Sequence, residues 1–478
     1  MVLPLIEPHR QACSADASMI RLESRAYETI SLFTEQRPFG IPYCICCAVH
    51  SLIVSRSGNC RPGGRSPPMR VCFVALYAYP LFRPTAQGIF GGSEVRTWLL
   101  ATALSRFPEH EVICIVFDHG QAAREQVGQV VLVPHSFYRA PHLLPAIPER
   151  QPNVSWLERL WGRVEQSLAP FLPSHITIDG HIISPAMTRV YDDVAADVYC
   201  VCGVSNFAAE VAAYCQRARR KLVLLAASDT DFALEYRQGS KHLNAFGSRA
   251  DLCHYVLRTA DWILTQTDAQ AALVRTRFGR DAITLKNPID LASRICAAPA
   301  SGEQVKAALW IGKSDTVKQP DLLLRLAATL PQIRFVMLMN RADPGLFEHI
   351  AVNKPPNVDL IEQMPFSEAE RLFTQAFVLV NTSRFEGFPN TFLQAGKYRL
   401  PVLSWQVDPD GFISRYECGI VAHGDMSRLT HGLAQIYADA NFRERCGHNL
   451  RAYVETHHRL EDKIDEFNQV LAAIALRH

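Results

Sequence analysis

The chain has 478 residues, of which 48% are hydrophobic and 20% are charged, and its formal net charge at pH 7 is +2. The length predicts two or three domains, and the composition is typical of a folded protein, which excludes a largely disordered chain. Because the charge is nearly balanced, the sequence also excludes a dedicated nucleic-acid-binding protein.

The fourteen cysteines form no disulfide or metal-binding pattern. Cys72, Cys200 and Cys202 fall inside apolar runs, where a reduced cysteine behaves as a small hydrophobic residue. No CxxC pair is followed by a second matching pair, which argues against a zinc site. The longest apolar run, residues 41–54, is shorter than the roughly 18–20 residues that span a bilayer. We therefore expect a reducing, cytoplasmic environment and no metal or other cofactor.

Residues 1–68 differ in composition from the rest of the chain. They hold five of the fourteen cysteines, including a cluster at 44–47, and end in an aperiodic stretch rich in Gly, Pro and Ser. Met69 is followed by a basic residue and a continuous apolar run, as at the start of many Rossmann-like domains. We expect the natural chain to start at Met69, and residues 1–68 to be disordered or an over-extended reading of the gene. A redox or metal-binding arm on the cysteine cluster is the alternative.

From Met69 onward, apolar runs alternate with amphipathic segments, which predicts parallel sheets covered on both faces. In the first half we expect strands at 71–76, 111–117, 197–201, 222–226 and 262–265, a glycine-rich loop at 88–92, a helix capped by Ser93, and a helix at 268–278. Residues 139–178 are rich in Pro and irregular, with a helix expected near 154–168. A strand breaks into an Asn-Pro-Ile-Asp turn at 283–290, where we place the domain boundary.

A second series of strands and helices follows this turn. We expect strands at 307–311, 333–338, 358–361, 377–380 and 402–404, and helices at 320–330, 344–351, 367–374, 391–398, 426–439, 441–456 and 460–476. Two successive doubly wound domains would face each other across a cleft, with ligand crevices at the carboxyl ends of their strands.

The most informative stretch is 381–396, where an apolar strand runs through a loop containing Gly and Pro into a helix. The free backbone N–H groups and the positive dipole end of a helix N-terminus suit a phosphate or diphosphate. A carboxylate just upstream, Glu386, suits sugar hydroxyls. The stretch therefore predicts half of a nucleotide-sugar site. The alternative is a tight turn in which Gly and Pro only shape the chain.

Several segments together resemble the donor-binding half of retaining glycosyltransferases of family 4, which have the GT-B fold of two facing Rossmann-like domains. They are Trp-Ile-Gly-Lys at 310–313 with Lys318, Glu-Gly-Phe-Pro at 386–389, and Gly-Lys-Tyr-Arg-Leu-Pro-Val at 396–402. The glycine pair Gly91 and Gly92 and the turn at 287–290 also look like that family. The resemblance runs from about Met69 to the C-terminus and is strongest over 306–413.

The resemblance implies a role for each matching residue. Lys313 and Lys318 would reach the diphosphate, where fixed cations stabilise the charge of the leaving group without a metal. Surface lysines without a ligand are the alternative for each residue taken alone. Glu386 would contact the donor sugar, and it is one of two residues that we expect to be catalytic.

The same loop supplies the other expected donor contacts, from Gly387 and Phe388 to the backbone of Asn390 and Thr391 at the helix start. Gln394 stands where the family has a second acid that binds ribose hydroxyls. This is a departure from the family, because an amide lacks the charge-assisted strength of a carboxylate.

The glycine loop of the first domain, Gly91 and Gly92, would approach the donor phosphate or the acceptor, since only glycine lets the backbone come so close. A plain helix-entry turn is the alternative. The other expected catalytic residue is Asp229, which with Asp231 follows the strand at 222–226. These acids would orient the acceptor hydroxyl or the sugar, or they are turn residues that cap a helix.

A second departure from the family concerns histidine. Many members have a histidine after the strand at 197–201, where this chain has Cys202. His181 is a further candidate, but an isolated histidine is more often structural.

These observations predict an α/β protein with the GT-B fold: an extension at 1–68, an acceptor domain at 69–286, a donor domain at 287–456 and a C-terminal helix at 457–478. The expected function is retaining, metal-independent transfer of a sugar from a nucleotide-sugar donor to a saccharide or lipid-linked acceptor. Family resemblance implies surface polysaccharide synthesis, with peripheral contact at the inner membrane. The alternatives are a pseudoenzyme that binds nucleotide or glycan without turnover, and an epimerase or hydrolase on the same fold.

Overall fold

The computed structural model describes residues 67–139, 176–178, 180–292 and 306–476. The predictions for residues 1–66 and for a helix near 154–168 lie outside this described part. The described strands of the first half are β1 Met69–Val74, β2 His110–Asp118, β3 Glu125–Val127, β4 Val130–Arg139, β5 Ile176–Ile178, β6 His181–Ile183, β7 Val198–Cys202, β8 Lys221–Leu225, β9 Trp262–Thr265 and β10 Ile283–Thr284.

Eight of these strands form the first sheet, in the order β10-β9-β8-β7-β1-β2-β4-β3. All neighbours in it are parallel except the antiparallel pair β3 and β4. β5 and β6 form a separate antiparallel hairpin. The described helices here are α1 Tyr79–Phe82, α2 Gly92–Leu104, α3 Pro185–Val194, α4 Asn206–Ala218, α5 Ala250–Thr259 and α6 Asp268–Phe278.

The prediction that Ser93 caps α2 is wrong. The helix begins at Gly92, and Gly91 is the N-cap with an extended backbone. Its N–H donates to the Glu94 carboxylate over 2.7 Å. The Glu94 carboxylate in the first turn thus takes the place of the usual hydroxyl cap. Glycines can therefore occupy the first positions of the helix.

The second sheet is entirely parallel. Its strands are β11 Ala307–Lys313, β12 Phe335–Asn340, β13 Val358–Ile361, β14 Ala376–Asn381, β15 Val402–Ser404 and β16 Gly419–Val421, in the order β13-β12-β11-β14-β15-β16. The helices are α7 Pro320–Thr329, α8 Pro344–Asn353, α9 Phe366–Thr374, α10 Asn390–Lys397, α11 Phe412–Arg415, α12 Met426–Ala438, α13 Ala440–His457 and α14 Leu460–Ala475. This strand order is that of a doubly wound Rossmann-like domain.

The last helix returns to the first sheet. Leu460, Ile464, Phe467 and neighbouring apolar residues of α14 are buried in the core beneath β1, and the Phe467 and Phe73 rings lie 6.0 Å apart. The chain therefore crosses between the two sheets twice, once through residues 285–292 and once through α14. The predicted domain limits stay predictions.

The two crossing segments are hydrogen-bonded to each other. The Ile289 N–H donates to the His458 carbonyl over 2.8 Å, and the Leu460 N–H donates to the Ile289 carbonyl over 3.1 Å. The His458 ring is fully buried, and its Nδ1 lies 2.7 Å from the Asn287 carbonyl, so Nδ1 carries the proton that is donated. This bond joins the two passages of the chain beside the cleft.

Acid should destabilise the protein through His458. Burial lowers the pKa of this imidazole to about 3, below its usual 6.5. Between these two pH values the imidazole is protonated in the unfolded state and neutral in the native state. As pH falls from about 7 to about 5, His458 alone should reduce the free energy of unfolding by roughly 2 kcal/mol. Denaturant unfolding of the parent and of His458→Asn measures this, and we expect a shallower pH dependence in the variant. Equal pH slopes for the two proteins would contradict a buried neutral imidazole.

Candidate functional site

The carboxyl ends of β11 and β14 define the site in the second sheet. They lie where the strand order reverses, which in open parallel sheets is where ligands bind. The loops that follow these two strands are joined by hydrogen bonds, since the Thr382 hydroxyl donates to the Lys318 carbonyl over 2.6 Å and the Arg384 N–H to the Val317 carbonyl over 2.9 Å. Two strand ends distant in sequence therefore present one continuous surface.

Lys313, at the end of β11, lies against the glycine loop of the first domain. A Cβ placed on Gly91 would lie only 2.9 Å from the Lys313 ammonium nitrogen. This ammonium has no ion-pair partner among the described residues. The structure thus brings together a cation and a glycine that the sequence assigns to opposite sides of the site, and any side chain at position 91 would crowd the gap between them.

Lys318 and Glu386 are paired with each other. The Lys318 ammonium donates to Glu386 Oε1, and the Ser383 hydroxyl donates to the same oxygen over 2.7 Å. Both side chains are partly exposed to the cleft. The expected diphosphate contact and the expected sugar contact are therefore adjacent, and Glu386 has its charge balanced.

The loop at 382–389 touches the first domain at Gly387. A Cβ on Gly387 would lie 1.9 Å from Gln266 Oε1 and 2.9 Å from the Ala227 carbonyl. The next residue, Phe388, donates its N–H to the same Gln266 oxygen over 2.6 Å. Glycine is required here because the backbone of one domain packs directly on the other.

Asn390, at the start of α10, links the two domains through its side chain. Its Nδ2 donates to the Gly92 carbonyl over 2.7 Å, and its Oδ1 accepts from Asn287 Nδ2 over 3.0 Å. Asn287 also donates to the Phe388 carbonyl over 2.9 Å. The backbone N–H groups of Asn390 and Thr391 belong to the first turn of α10, so the helix N-terminus points at the gap beside Gly92.

The two acids after β8 have different environments. Asp231 is buried, and its carboxylate accepts from the backbone N–H groups of Ala227, Ser228 and Val204. It is the capping residue of the turn, which is the alternative that the sequence left open for this acid. The three N–H donors fix its orientation inward.

Asp229 lies at the cleft. It accepts from Gln270 Nε2 through Oδ1 over 2.9 Å, and Oδ2 has no hydrogen-bond partner among the described residues. Water from the cleft reaches the residue. The surrounding protein nevertheless limits hydration of the carboxylate, and this raises its pKa to about 6, with smaller contributions from Asp231, Asp410 and Glu386. A carboxylic acid with this pKa can exchange a proton near neutral pH.

Gln394 lines a cavity of about 270 Å³ between α2, α9, α10 and the crossing segment at 288–290. Trp98 and Phe366 form part of its apolar wall. A salt bridge between Glu370 and Lys397, 3.0 Å long and nearly buried, forms part of its polar wall. The cavity starts at Asn390 and follows one face of α10, so it lies directly beyond the gap at Gly92.

Sequence reasoning missed Gln266, Gln270, Asp410 and Glu370. Gln266 directly follows β9, and a polar residue at the carboxyl end of a buried strand is a signal that could have found it. Asp410 accepts from the N–H groups of Asp268 and Ala269 across the domain interface, a contact with no local signal. His181 lies on the β5–β6 hairpin near Arg249 and Asp251.

The described part of the chain shows neither a cluster of metal-binding side chains nor a membrane-spanning helix. No cluster of three or more His, Cys, Asp or Glu side chains is arranged to hold a metal ion. Among the helices that the structure describes, none combines the length and the apolar character needed to cross a membrane.

Comparison with known proteins relates the second domain to a family. Residues 295–453 match the model of glycosyl transferases group 1, a stretch that includes the whole second sheet. Glycosyltransferase 1 domain-containing protein 1 of Xenopus tropicalis is 22% identical over 144 residues, which are 30% of this chain and 41% of that protein. The chain thus spans less than half the length of this relative.

Solved structures resemble most of the chain. Sucrose-phosphate synthase from Thermosynechococcus elongatus superposes with a TM-score of 0.62 at 15% identity, covering 86% of this chain and 100% of that one. The pneumococcal O-GlcNAc transferase GtfA, solved with UDP and GlcNAc, superposes with a TM-score of 0.57 at 12% identity, covering 85% and 99%. The predicted GT-B fold is confirmed, and the relation to group 1 glycosyltransferases is supported. Membership of family 4 and a retaining mechanism stay predictions.

A methyl group at position 387 should disturb the domain contact. Gly387→Ala forces its Cβ into Gln266 Oε1, and we expect the free energy of unfolding to fall by roughly 1–3 kcal/mol, as for other overpacked sites. Gly345→Ala is the control, because its Cβ would meet only Asp343 Oδ1 at 3.4 Å. Denaturant unfolding compares the two. Adding Gln266→Ser to Gly387→Ala should recover part of the loss, and equal stability of both single variants would contradict the close approach.

Proposed function

We propose that the chain is a retaining, metal-independent glycosyltransferase that moves a sugar from a nucleotide-sugar donor to a glycan or glycolipid acceptor. The observation that carries the proposal is that Lys313 lies against Gly91 while Asn390, in the first turn of α10, bonds the Gly92 carbonyl. A cation and a positive helix end beside a pair of glycines, with Lys318 on the adjoining loop, are suited to a diphosphate.

The leaving group would be stabilised by these fixed charges. As the bond between the anomeric carbon and the diphosphate oxygen breaks, its electron pair passes to the diphosphate. Lys313, which has no ion-pair partner among the described residues, would meet this charge directly. Lys318 would turn from Glu386 toward the phosphate, and the Glu386 carboxylate would then be available to a hydroxyl of the donor sugar.

Asp229 would serve the acceptor. In the proposed step the acceptor oxygen bonds the anomeric carbon on the face that the diphosphate leaves, so no protein nucleophile is needed. The hydroxyl proton passes to Oδ2 of the Asp229 carboxylate, which accepts no hydrogen bond from the described residues. The raised pKa of Asp229, about 6, favours proton uptake near neutral pH.

The nucleoside would lie in the cavity along α10. Asn390 stands at the phosphate end of this cavity, and Gln394 lies one helical turn further along the same face. The Gln394 amide can accept from one ribose hydroxyl and donate to another. Trp98 and Phe366 offer an apolar surface for a base.

The biological setting is part of the proposal. The resemblance favours synthesis of surface polysaccharide in the cytoplasm, with peripheral contact at the inner membrane. The presence of UDP and GlcNAc in the GtfA structure supports a nucleotide-sugar donor and a saccharide partner, without fixing either for this chain.

A pseudoenzyme is the second candidate, and Gln394 favours it. The neutral amide replaces the acid that the resemblance implies for ribose, which would weaken donor binding. A pseudoenzyme would bind nucleotide or glycan in the same cleft without breaking the donor bond.

Nucleotide-sugar turnover tests the proposal. The parent protein is incubated with uridine, guanosine and adenosine diphosphate sugars, and release of nucleoside diphosphate is followed. We expect release with at least one donor, because the fixed cations would stabilise the departing diphosphate.

Calorimetric binding of that diphosphate should weaken by roughly 1–3 kcal/mol in Lys313→Ala and in Lys318→Ala. The exposed Lys241→Ala is the control. Binding without turnover supports the pseudoenzyme, and unchanged binding in both variants removes the lysines from the site.

Glu386 and Gln394 should affect different kinetic constants. If Glu386 holds the sugar as positive charge develops on it, Glu386→Gln should lower kcat much more than it raises the donor KM. Gln394→Glu should mainly tighten nucleotide binding, since a carboxylate accepts hydrogen bonds from ribose hydroxyls more strongly than an amide does. Steady-state kinetics and calorimetry separate the two effects. Undiminished kcat in Glu386→Gln would show that this carboxylate has no role in the transition state.

A further inference from the structure

We propose that Gln266 and Gln270 form a hydrogen-bonded bridge between the 382–389 loop and Asp229, in which each glutamine has its own role. Gln270 would be a positioning residue for Asp229, and Gln266 would be the docking residue for the loop. The inference rests on the proposed function, because it requires that the ionised Asp229 carboxylate accept a proton during sugar transfer.

The first part of the bridge spans the domain interface. The Gln266 side chain is buried, and its Oε1 accepts the Phe388 N–H over 2.6 Å. The same oxygen occupies the space that a side chain at Gly387 would need. Gln266 therefore contacts the loop that carries Glu386, and this contact exists only while the two domains are close.

The second part lies within the first domain. The Gln266 backbone N–H donates to Gln270 Oε1 over 2.9 Å, and Gln270 Nε2 donates to Asp229 Oδ1 over 2.9 Å. Gln270 is fully buried in the first turn of α6. Because the backbone N–H holds the amide oxygen, the amide nitrogen must face Asp229. A donor fixed in this direction favours the ionised carboxylate.

The charged surroundings make this donor important. Asp231 lies on the same turn as Asp229, and Asp410 and Glu386 approach from the second domain. All three are acids and favour the protonated form of Asp229. Among these charges the cation is Lys318, which is paired with Glu386 and partly offsets its negative charge. Among the described residues Gln270 is the hydrogen-bond donor to the Asp229 carboxylate, so it acts against the repulsion from the acids.

The bridge gives the two glutamines separable effects. Removing the Gln266 amide breaks the contact with Phe388 but leaves the backbone N–H that orients Gln270. Removing the Gln270 amide leaves the loop contact intact but takes the donor from Asp229. One change should therefore affect donor binding, and the other should affect protonation.

The test follows the protonation of Asp229 directly. Protein labelled with carbon-13 at the aspartate carboxyls is titrated by NMR, and the Asp229 signal is assigned as the one missing in Asp229→Asn. In Gln270→Leu we expect the titration midpoint to rise by roughly 0.5–1 pH unit, the equivalent of one lost hydrogen bond. In Gln270→Glu, which keeps the size and adds a like charge, it should also rise. Gln216→Leu, at an exposed glutamine on α4, should leave it unchanged.

Kinetics form the second arm. The acid limb of the pH profile of kcat should move with the NMR midpoint in Gln270→Leu, whereas Gln266→Met should raise the donor KM several-fold and leave the limb in place. An unmoved NMR midpoint in both Gln270 variants overturns the inference. A parent protein without turnover overturns the proposed function instead, and the NMR arm still decides whether Gln270 positions Asp229.

Discussion

The hydrogen bonds of Asn287 hold together the parts of the molecule on which the site depends. Its carbonyl accepts from His458, and its side chain donates to the Phe388 carbonyl and to Asn390. One buried residue thus joins the two crossing segments to the loop and the helix that face the cleft. Each of these groups is buried or partly buried, so leaving any of them without its partner would cost desolvation energy. This cost fixes the crossing segments relative to the loop and the helix at the cleft.

The cleft brings cations and acids close together. The second domain contributes Lys313, Lys318 and a helix N-terminus together with Glu386 and Asp410, while the first contributes Asp229, which has no cation bonded to it among the described residues. The pairing of Lys318 with Glu386 prevents these acids from repelling each other without compensation. A ligand carrying two phosphates would draw Lys318 toward itself and leave more negative charge beside Asp229. In the proposed function, donor binding and the protonation of Asp229 would therefore be linked through the position of Lys318.

Local sequence patterns predicted the elements well, because a parallel βα series is encoded by short apolar runs and their flanking turns. Every strand and helix predicted within the described residues is present, with ends that agree to within two residues. The sequence predictions omitted strands β3, β4, β5, β6 and β16 and helices α1, α3, α4, α5 and α11. Of these, β3, β5, β6 and β16 have three residues each, which is too short for a clear alternation. Ser93 was assigned as a cap because the rule for hydroxyl caps ignores an acid such as Glu94 that can reach back to the backbone.

The candidate site could be predicted only where its residues lie on local motifs. Lys313, Lys318 and Glu386 follow strands and are visible in sequence, whereas Gln266 and Asp410 act across the domain interface. Gln394 illustrates the same limit. In the sequence it stands where the resemblance implies an acid, but in the structure it shares its cavity wall with the buried Glu370–Lys397 pair. A second carboxylate there would lie near Glu370 in a poorly hydrated space, and a neutral amide avoids that repulsion while keeping both hydrogen-bonding functions.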